Sequence, residues 1–152
     1  GHEAGDKVIK QFSVILSTAI RKDDVLIRWG GEEFLVILKN TTIQHLDTFA
    51  GLIRKKVEEY LFDVSEAKEG FLRKTCSIGY IAYPAVEHAP DMLYFEQSVA
   101  IADMGLYYAK KNGRNKAVHV ILNEKINQQE IEVLLESLED AIKLGICRIY
   151  VN

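Results

Sequence analysis

Cysteine is scarce in this chain of 152 residues, which has Cys76 and Cys147 and no others. With no charged-then-apolar leader at the start, that scarcity points to a reducing, cytosolic setting with buried thiols; a single disulfide is the alternative. Long apolar runs are missing as well. The longest, Phe34 to Leu38, has five residues, against the ~20 needed to cross a bilayer, so no segment is expected to span a membrane. There is no basic excess: 19 Lys and Arg stand against 22 Asp and Glu, and residues 1–122 carry 16 of each sign, which confines the acidic surplus to residues 123–152. A neutral body with an acidic tail excludes nonspecific nucleic-acid binding, which needs a basic face. Any phosphate ligand must therefore be held by local geometry. Internal repeats and low-complexity tracts are also absent. What is present is the composition of one globular domain, 48% hydrophobic and 27% charged, apolar enough to offset the entropy of ordering.

Val8, Phe12, Ile15, Leu16 and Ala19 recur at helical spacing and predict an amphipathic helix from about Asp6 to Ile20. Val25 to Trp29 and Phe34 to Leu38 are β-rich runs around Gly30-Gly31-Glu32-Glu33, the pattern of a hairpin with the glycines at its tip. Leu46, Phe49, Ala50, Ile53 and Val57 mark a second helix with Thr42 as its N-cap. After a polar loop through Gly70, Leu72 to Tyr83 reads as one strand stopped by Pro84. Val99, Ala102, Leu106 and Ala109 predict a third helix ended by Gly113, followed by a strand over Ala117 to Leu122. This order predicts helices on one face of a mostly antiparallel sheet. Ile131, Leu134, Leu135, Leu138 and Ile142 then form a helical stripe ended by Gly145, and Ile146 to Val151 is strand-like. Residues 123–152 are thus expected to be an appended helix and strand, with the apolar stripe packed back on residues 1–122.

Three clusters could carry chemistry. In Arg28-Trp29-Gly30-Gly31-Glu32-Glu33-Phe34, two glycines allow close approach of a ligand to backbone while two adjacent carboxylates face it, half of a site for a hard divalent cation and a triphosphate. A solvated turn would read the same way. Lys110 and Arg114, where a helix ends, could meet a common anion, or simply complement the helix dipole. Asp6 could accept two parallel hydrogen bonds from the N1–H and N2–H₂ edge of guanine, or simply cap the first helix.

Taken together and in order, the strings Gly1-His2-x-x-Gly5-Asp6, Arg28-x-Gly30-Gly31-Glu32-Glu33-Phe34, Ser77-Ile78-Gly79, Ala102-Asp103-x-x-Leu106-Tyr107-x-Ala109-Lys110 and Gly113-Arg114-Asn115 resemble the GGDEF family of diguanylate cyclases over residues 1 to about 118. The resemblance implies an α/β (α+β) fold, ferredoxin-like and related to the palm of polymerases and nucleotidyl cyclases, with a central, mostly antiparallel sheet flanked by helices. It also implies condensation of two GTP to cyclic di-GMP and two pyrophosphates across a transient antiparallel homodimer, with Mg²⁺ or Mn²⁺ as cofactor. In these terms Glu32 is the side-chain metal ligand and Glu33 the acid beside the reacting centre. Gly30 and Gly31 shape the GTP-binding turn, Asp6 reads guanine, and Lys110 and Arg114 clamp the β- and γ-phosphates. Glutamate at the third hairpin position is a common active variant. Arg21-Lys22-Asp23-Asp24, five residues before Gly30, fits the family's Arg-x-x-Asp inhibitory site, where Arg21 and Asp24 would hold the product. A charged helix-to-strand turn is the alternative. The supporting arginine that the family often carries on the second helix falls near Leu52, with Arg54 close by.

The resemblance further implies a strand before Gly1 that supplies a metal-ligating aspartate and lies at the centre of the sheet. None of it is among the 152 residues, and the strand-like end from Ile146 to Val151 is a conceivable but disfavoured substitute. The expected boundaries are therefore a GGDEF domain without its first strand over 1–122 and a tail over 123–152. The chain by itself is expected to make little cyclic di-GMP, while the protein it comes from does so in the cytoplasm under an upstream sensor that could be anchored in a membrane. The competing reading is a noncatalytic receptor that binds cyclic di-GMP or GTP for regulation; a dimerisation domain with no nucleotide role is the weaker third.

Overall fold

In the computed structural model, which describes residues 1–66 and 70–152, the chain packs as two compact units, Gly1–Thr75 and Cys76–Asn152. No helix among the described residues is long and apolar enough to cross a membrane.

The first unit opens with α1 (His2–Ala19), capped by Gly1. The helix starts four residues before the position its apolar spacing suggests, because the polar first turn still closes through the Gly5 N–H to the Gly1 carbonyl at 3.2 Å. Asp6 therefore lies inside the helix, and the alternative that it caps the first helix is removed. Ile15 and Leu16 are buried, and Phe12 lays its ring against Phe34 at 5.3 Å. The hairpin is β1 (Val25–Arg28) with β2 (Phe34–Ile37), antiparallel from Val25↔Ile37 to Arg28↔Phe34. Then comes α2 (Ile43–Glu59), whose N-cap is Thr42 as expected: the Thr42 hydroxyl accepts from the His45 N–H at 3.1 Å. Its buried face is Ala50, Ile53 and Val57, and α1 packs against it.

The expected single strand from Leu72 to Tyr83 is two strands belonging to different sheets. A short β3 (Leu61–Asp63) pairs antiparallel with β4 (Phe71–Arg73), while β5 (Ile78–Tyr80) pairs elsewhere. The polar Lys74-Thr75-Cys76-Ser77 between them belongs to no strand. Residues 67–69, inside the expected polar loop, lie outside the described residues. The side chain of Gln11 ties α1 to β3 by accepting from the Asp63 N–H at 2.9 Å and donating to the Asp63 carbonyl at 2.8 Å.

In the second unit, α3 (Phe95–Lys111) lies on a three-stranded sheet in the order β5, β6 (Ala117–Leu122), β7 (Cys147–Val151). β5 runs parallel to β6, and β7 pairs antiparallel on β6's other side. The face of α3 that is buried is Ser98, Ile101, Gly105 and Ala109. Val99, Ala102 and Leu106 of the expected stripe are only half-buried. At Gly105 the helix lies close to the sheet: a Cβ added there would lie 3.2 Å from Val120 Cγ2 and 3.4 Å from the Gly79 Cα.

The expected final helix is two, α4 (Gln128–Glu136) and α5 (Leu138–Lys143). Ser137 ends the first in extended conformation and caps the second, its hydroxyl accepting from the Asp140 N–H at 3.2 Å. Both follow one apolar stripe, since Ile131, Leu134, Leu138 and Ala141 join Ile101 and Val120 in the core. The stripe thus packs back on the same sheet. Gly145 leaves the helix at φ +73 as its position suggests. Neither cysteine is in a disulfide. Cys147 is buried and desolvation pushes its thiol up to about 11, whereas Cys76 is half-buried, short of the expected burial.

Candidate active site

The hairpin tip is built by main chain. Between Arg28 and Phe34 the five residues Trp29 to Glu33 close on the Glu33 carbonyl, which accepts from the Trp29 N–H at 2.8 Å and the Gly30 N–H at 3.2 Å. Arg28 Nη2 then donates to the Gly31 carbonyl at 2.6 Å. Glu32 is exposed and Glu33 half-buried. Neither Gly30 nor Gly31 has a left-handed φ. A Cβ on Gly31 would meet nothing within 4 Å, and one on Gly30 only Glu33 Oε1 at 4.0 Å. The fold sets no steric demand for glycine at either position.

A cleft of about 590 Å³ is lined by Asp6, Ile9, Lys10, Ser13 and Val14 of α1 and by Leu26, Arg28 and Phe34 of the hairpin. Asp6, Ile9, Lys10 and Ser13 follow i, i+3, i+4, i+7 spacing, which puts them on one face of the helix. Lys10, Ser13 and Arg28 were given no role by the sequence reading, although helical spacing from Asp6 would have found the first two. The exposed Asp6 carboxylate at this cleft can accept from a polar ligand edge.

A Mg²⁺ or Mn²⁺ ion needs oxygen ligands, and one or two carboxylates suffice when phosphates and water complete the shell. Glu32 and Glu33 supply such carboxylates beside an open backbone turn. Among the described residues no group of three or more His, Cys, Asp or Glu is arranged to hold a metal. The two adjacent hairpin carboxylates, Glu32 exposed and Glu33 half-buried, are of the donor type such a shell would take.

Lys110 and Arg114 belong to the second unit. Lys110 sits in the last turn of α3, and the chain then passes through Gly113 (φ +107), Arg114 (φ +61) and Asn115 (φ +48). Left-handed backbone costs a non-glycine residue roughly 1–2 kcal/mol. This turn pays it at two successive positions, held by the Arg114 N–H donating to the Ala109 carbonyl at 2.8 Å. Strain of this kind gathers where a side chain must be presented in one direction, and the side chain presented is the exposed arginine.

Arg21 and Asp24 form the turn between α1 and β1. The Asp24 side chain is only 2% exposed; its Oδ2 accepts from the Arg21 N–H at 2.8 Å and its Oδ1 from the Lys39 N–H at 2.9 Å. Arg21, 56% exposed, donates from Nη2 to the Lys39 carbonyl at 2.8 Å. Desolvation pushes the Asp24 carboxyl up, but the two amides and the Arg21 guanidinium outweigh it and hold the group below its ordinary 3.8. A carboxyl lowered by folding stabilises fully above its unfolded value, and that contribution is lost as pH falls through the folded value. The stability gap between wild type and Asp24→Asn is therefore expected to close below about pH 4 in acid unfolding followed by circular dichroism. Asp63, held low by Ser65, and Glu66, held low by Lys7, titrate the same way in both proteins and leave the gap unaffected. On α2, Leu52 is exposed and Arg54 donates to Glu58 Oε2 at 3.0 Å.

Comparison with known proteins gives the same direction. The family described as "Diguanylate cyclase, GGDEF domain" matches residues 1–116. The response regulator PleD of Caulobacter vibrioides (strain NA1000 / CB15N) is 36% identical over 118 residues, 78% of this chain and 25% of that protein. Diguanylate cyclase A of Treponema denticola is 37% identical over 116 residues, 76% of this chain and 29% of that protein. The probable diguanylate cyclase DgcT of Escherichia coli K12 is 38% identical over 118 residues, 78% and 25%. The chain spans about a quarter of the length of these relatives. A glycine pair that folding does not require, followed directly by two carboxylates, thus occurs in a chain that belongs to the diguanylate cyclase GGDEF-domain family.

Proposed function

We propose that this protein condenses two GTP into cyclic di-GMP with release of two pyrophosphates, in the cytoplasm and as a transient homodimer whose subunits each hold one GTP at the glycine hairpin. The observation that carries this reading is the open space at Gly30 and Gly31, where no neighbouring atom would resist a side chain. Asp6 accepts from the guanine edge in the cleft beside α1, and Lys110 and Arg114 hold the β- and γ-phosphates. Glu33 takes the proton of one GTP's 3′-hydroxyl as that oxygen bonds to the α-phosphorus of the other and the bond to pyrophosphate breaks. The same exchange with the roles reversed closes the ring. Glu32, together with the phosphates, would hold a Mg²⁺ or Mn²⁺ ion, which would supply charge neutralisation at the departing pyrophosphate. Product inhibition is read at Arg21 and Asp24, where the exposed Arg21 guanidinium can meet a phosphate or stack on guanine.

The test is Gly31→Ala in the full-length protein. Stability is expected to stay within about 0.5 kcal/mol of wild type, because the new methyl meets nothing, while cyclic di-GMP formation from GTP and Mg²⁺ falls at least ~10-fold, about 1.4 kcal/mol of lost binding or alignment. Unchanged turnover, measured by chromatography of the product, would remove the hairpin from the reaction. Binding of GTP or cyclic di-GMP by the full-length protein with no turnover would establish the receptor reading instead.

A further inference from the structure

We infer that Gln11 is a positioning residue for guanine recognition: its side-chain amide fixes how α1 is turned about its own axis, and with it where Asp6 faces. The inference rests on the reading of Asp6 as the group that accepts from guanine. The half of α1 that carries Asp6 has little apolar grip, since of residues 1–11 only Ala4 is buried. The apolar anchors, Phe12 against Phe34 and the buried Ile15 and Leu16, all come later. What holds the first turns is therefore polar, and Gln11 is at its centre.

The Gln11 amide is engaged at both ends. Oε1 accepts from the Asp63 N–H at 2.9 Å and from the Tyr60 hydroxyl at 3.4 Å, while Nε2 donates to the Asp63 carbonyl at 2.8 Å and to the Lys7 carbonyl at 3.0 Å. These partners fix which way round the amide sits, because reversing it would set NH₂ against N–H and oxygen against oxygen at Asp63. Asp63 ends β3, and the amide meets both of its main-chain groups as a neighbouring strand would. One turn before Gln11, Lys7 pairs with Glu66, an exposed ion pair that holds little by itself. Lys7 and Gln11 share one face of α1 by i, i+4 spacing; Asp6 and Lys10, each one position earlier, share the face that lines the cleft beside the hairpin. Holding the first face still therefore aims the second. A helix with its side chains is about 10 Å across, so a turn of ~10° about its axis carries the Asp6 carboxylate about 1 Å, and misplacement of that size costs up to ~100-fold.

The test uses Gln11→Met in the full-length protein, which keeps an unbranched side chain of similar length and helix propensity but removes the amide. Amide hydrogen exchange at Asp63 is expected to rise about five- to tenfold, the opening that follows loss of a neutral hydrogen bond. In turnover with Mg²⁺, read as pyrophosphate release, KM for GTP rises about five- to tenfold while kcat stays within about twofold, because the base is bound from α1 and the reacting acids sit on the hairpin. The preference for GTP over ITP, which lacks the N2 amino group, falls at least about threefold in kcat/KM, a change that lost stability alone would not produce. Gln11→Glu keeps the acceptor for the Asp63 N–H and loses the donor to the Asp63 carbonyl, and it is expected to lie between Gln11→Met and wild type in each readout. Unchanged Asp63 exchange in Gln11→Met overturns the tie. Raised exchange with wild-type KM and wild-type GTP preference overturns the positioning role. Wild type that binds GTP without turning it over defeats the cyclase reading alone; GTP and ITP are then compared by calorimetry, where weaker discrimination in Gln11→Met upholds the inference and equal discrimination overturns it. Should Gln11→Met fail to fold, Gln11→Glu carries the same measurements.

Discussion

Replacing Gly79 by alanine is expected to remove a large part of the stability of the second unit. A Cβ on Gly79 would lie 2.7 Å from the Gly105 carbonyl carbon and closer still to the Ala102 carbonyl oxygen and the Leu106 nitrogen. All three are main-chain atoms of α3, so no rotamer change relieves the clash and the helix must lift off β5. Overpacking of a core usually costs roughly 1–3 kcal/mol where side chains can give way, and here the cost belongs at or beyond the upper end. Against a total of about 5–15 kcal/mol for a domain, that lowers the melting temperature by ~12 °C or more, at ~4–8 °C per kcal/mol for a unit of this size. Gly105→Ala serves as the comparison. Its methyl would lie 3.2 Å from Val120 Cγ2 and 3.3 Å from the Val118 carbonyl, so the sheet need yield only a few tenths of an ångström, and alanine returns up to ~1 kcal/mol of helix propensity. Its expected change is under about 1 kcal/mol in either direction. Thermal unfolding by circular dichroism reads both, and equal midpoints for Gly79→Ala and wild type would contradict the close approach of α3 to β5.

Glu33→Gln is expected to abolish cyclic di-GMP formation while leaving the hairpin standing. The tip closes on the Glu33 main-chain carbonyl, which the substitution keeps, and glutamine matches the side chain in size. Only the charge and the capacity to take a proton are lost. General-base assistance contributes ~10²–10⁴-fold, so product formation in the full-length protein should fall by about that factor with unfolding unchanged. Glu32→Gln separates the neighbouring role: activity should fall and recover in part as Mg²⁺ is raised, because one of several oxygen ligands has been weakened. Retained turnover in Glu33→Gln would take Glu33 out of the chemistry and leave it a turn residue.

The parts of the fold that were legible beforehand are those whose cause lies within a few residues. Thr42 as a cap depends on a hydroxyl meeting an amide three residues on, and Gly113 and Gly145 are recognisable because only glycine takes a left-handed φ without cost. Where neighbouring segments respond to different partners, the same reasoning misled. Leu72 to Tyr83 looked continuous because its alternation is that of a strand, but β4 answers to β3 and β5 to β6. The stripe from Ile131 to Ile142 looked like one helix because both halves face one core, and the break at Ser137 leaves that periodicity intact.

For the site, the ordered strings over residues 1 to about 118 were enough to reach the family, because motif spacing along a chain is itself a sequence property. The tertiary structure alone could decide that folding makes no demand for glycine at Gly30 and Gly31 but makes an absolute one at Gly79, since the difference lies in which distant backbone approaches each position. It alone could show that the Asp24 carboxylate accepts from the Arg21 and Lys39 amides, the second of them fifteen residues away. Local chemistry sets what a residue is able to do; the long-range closure of the chain decides which of its groups remain available to do it.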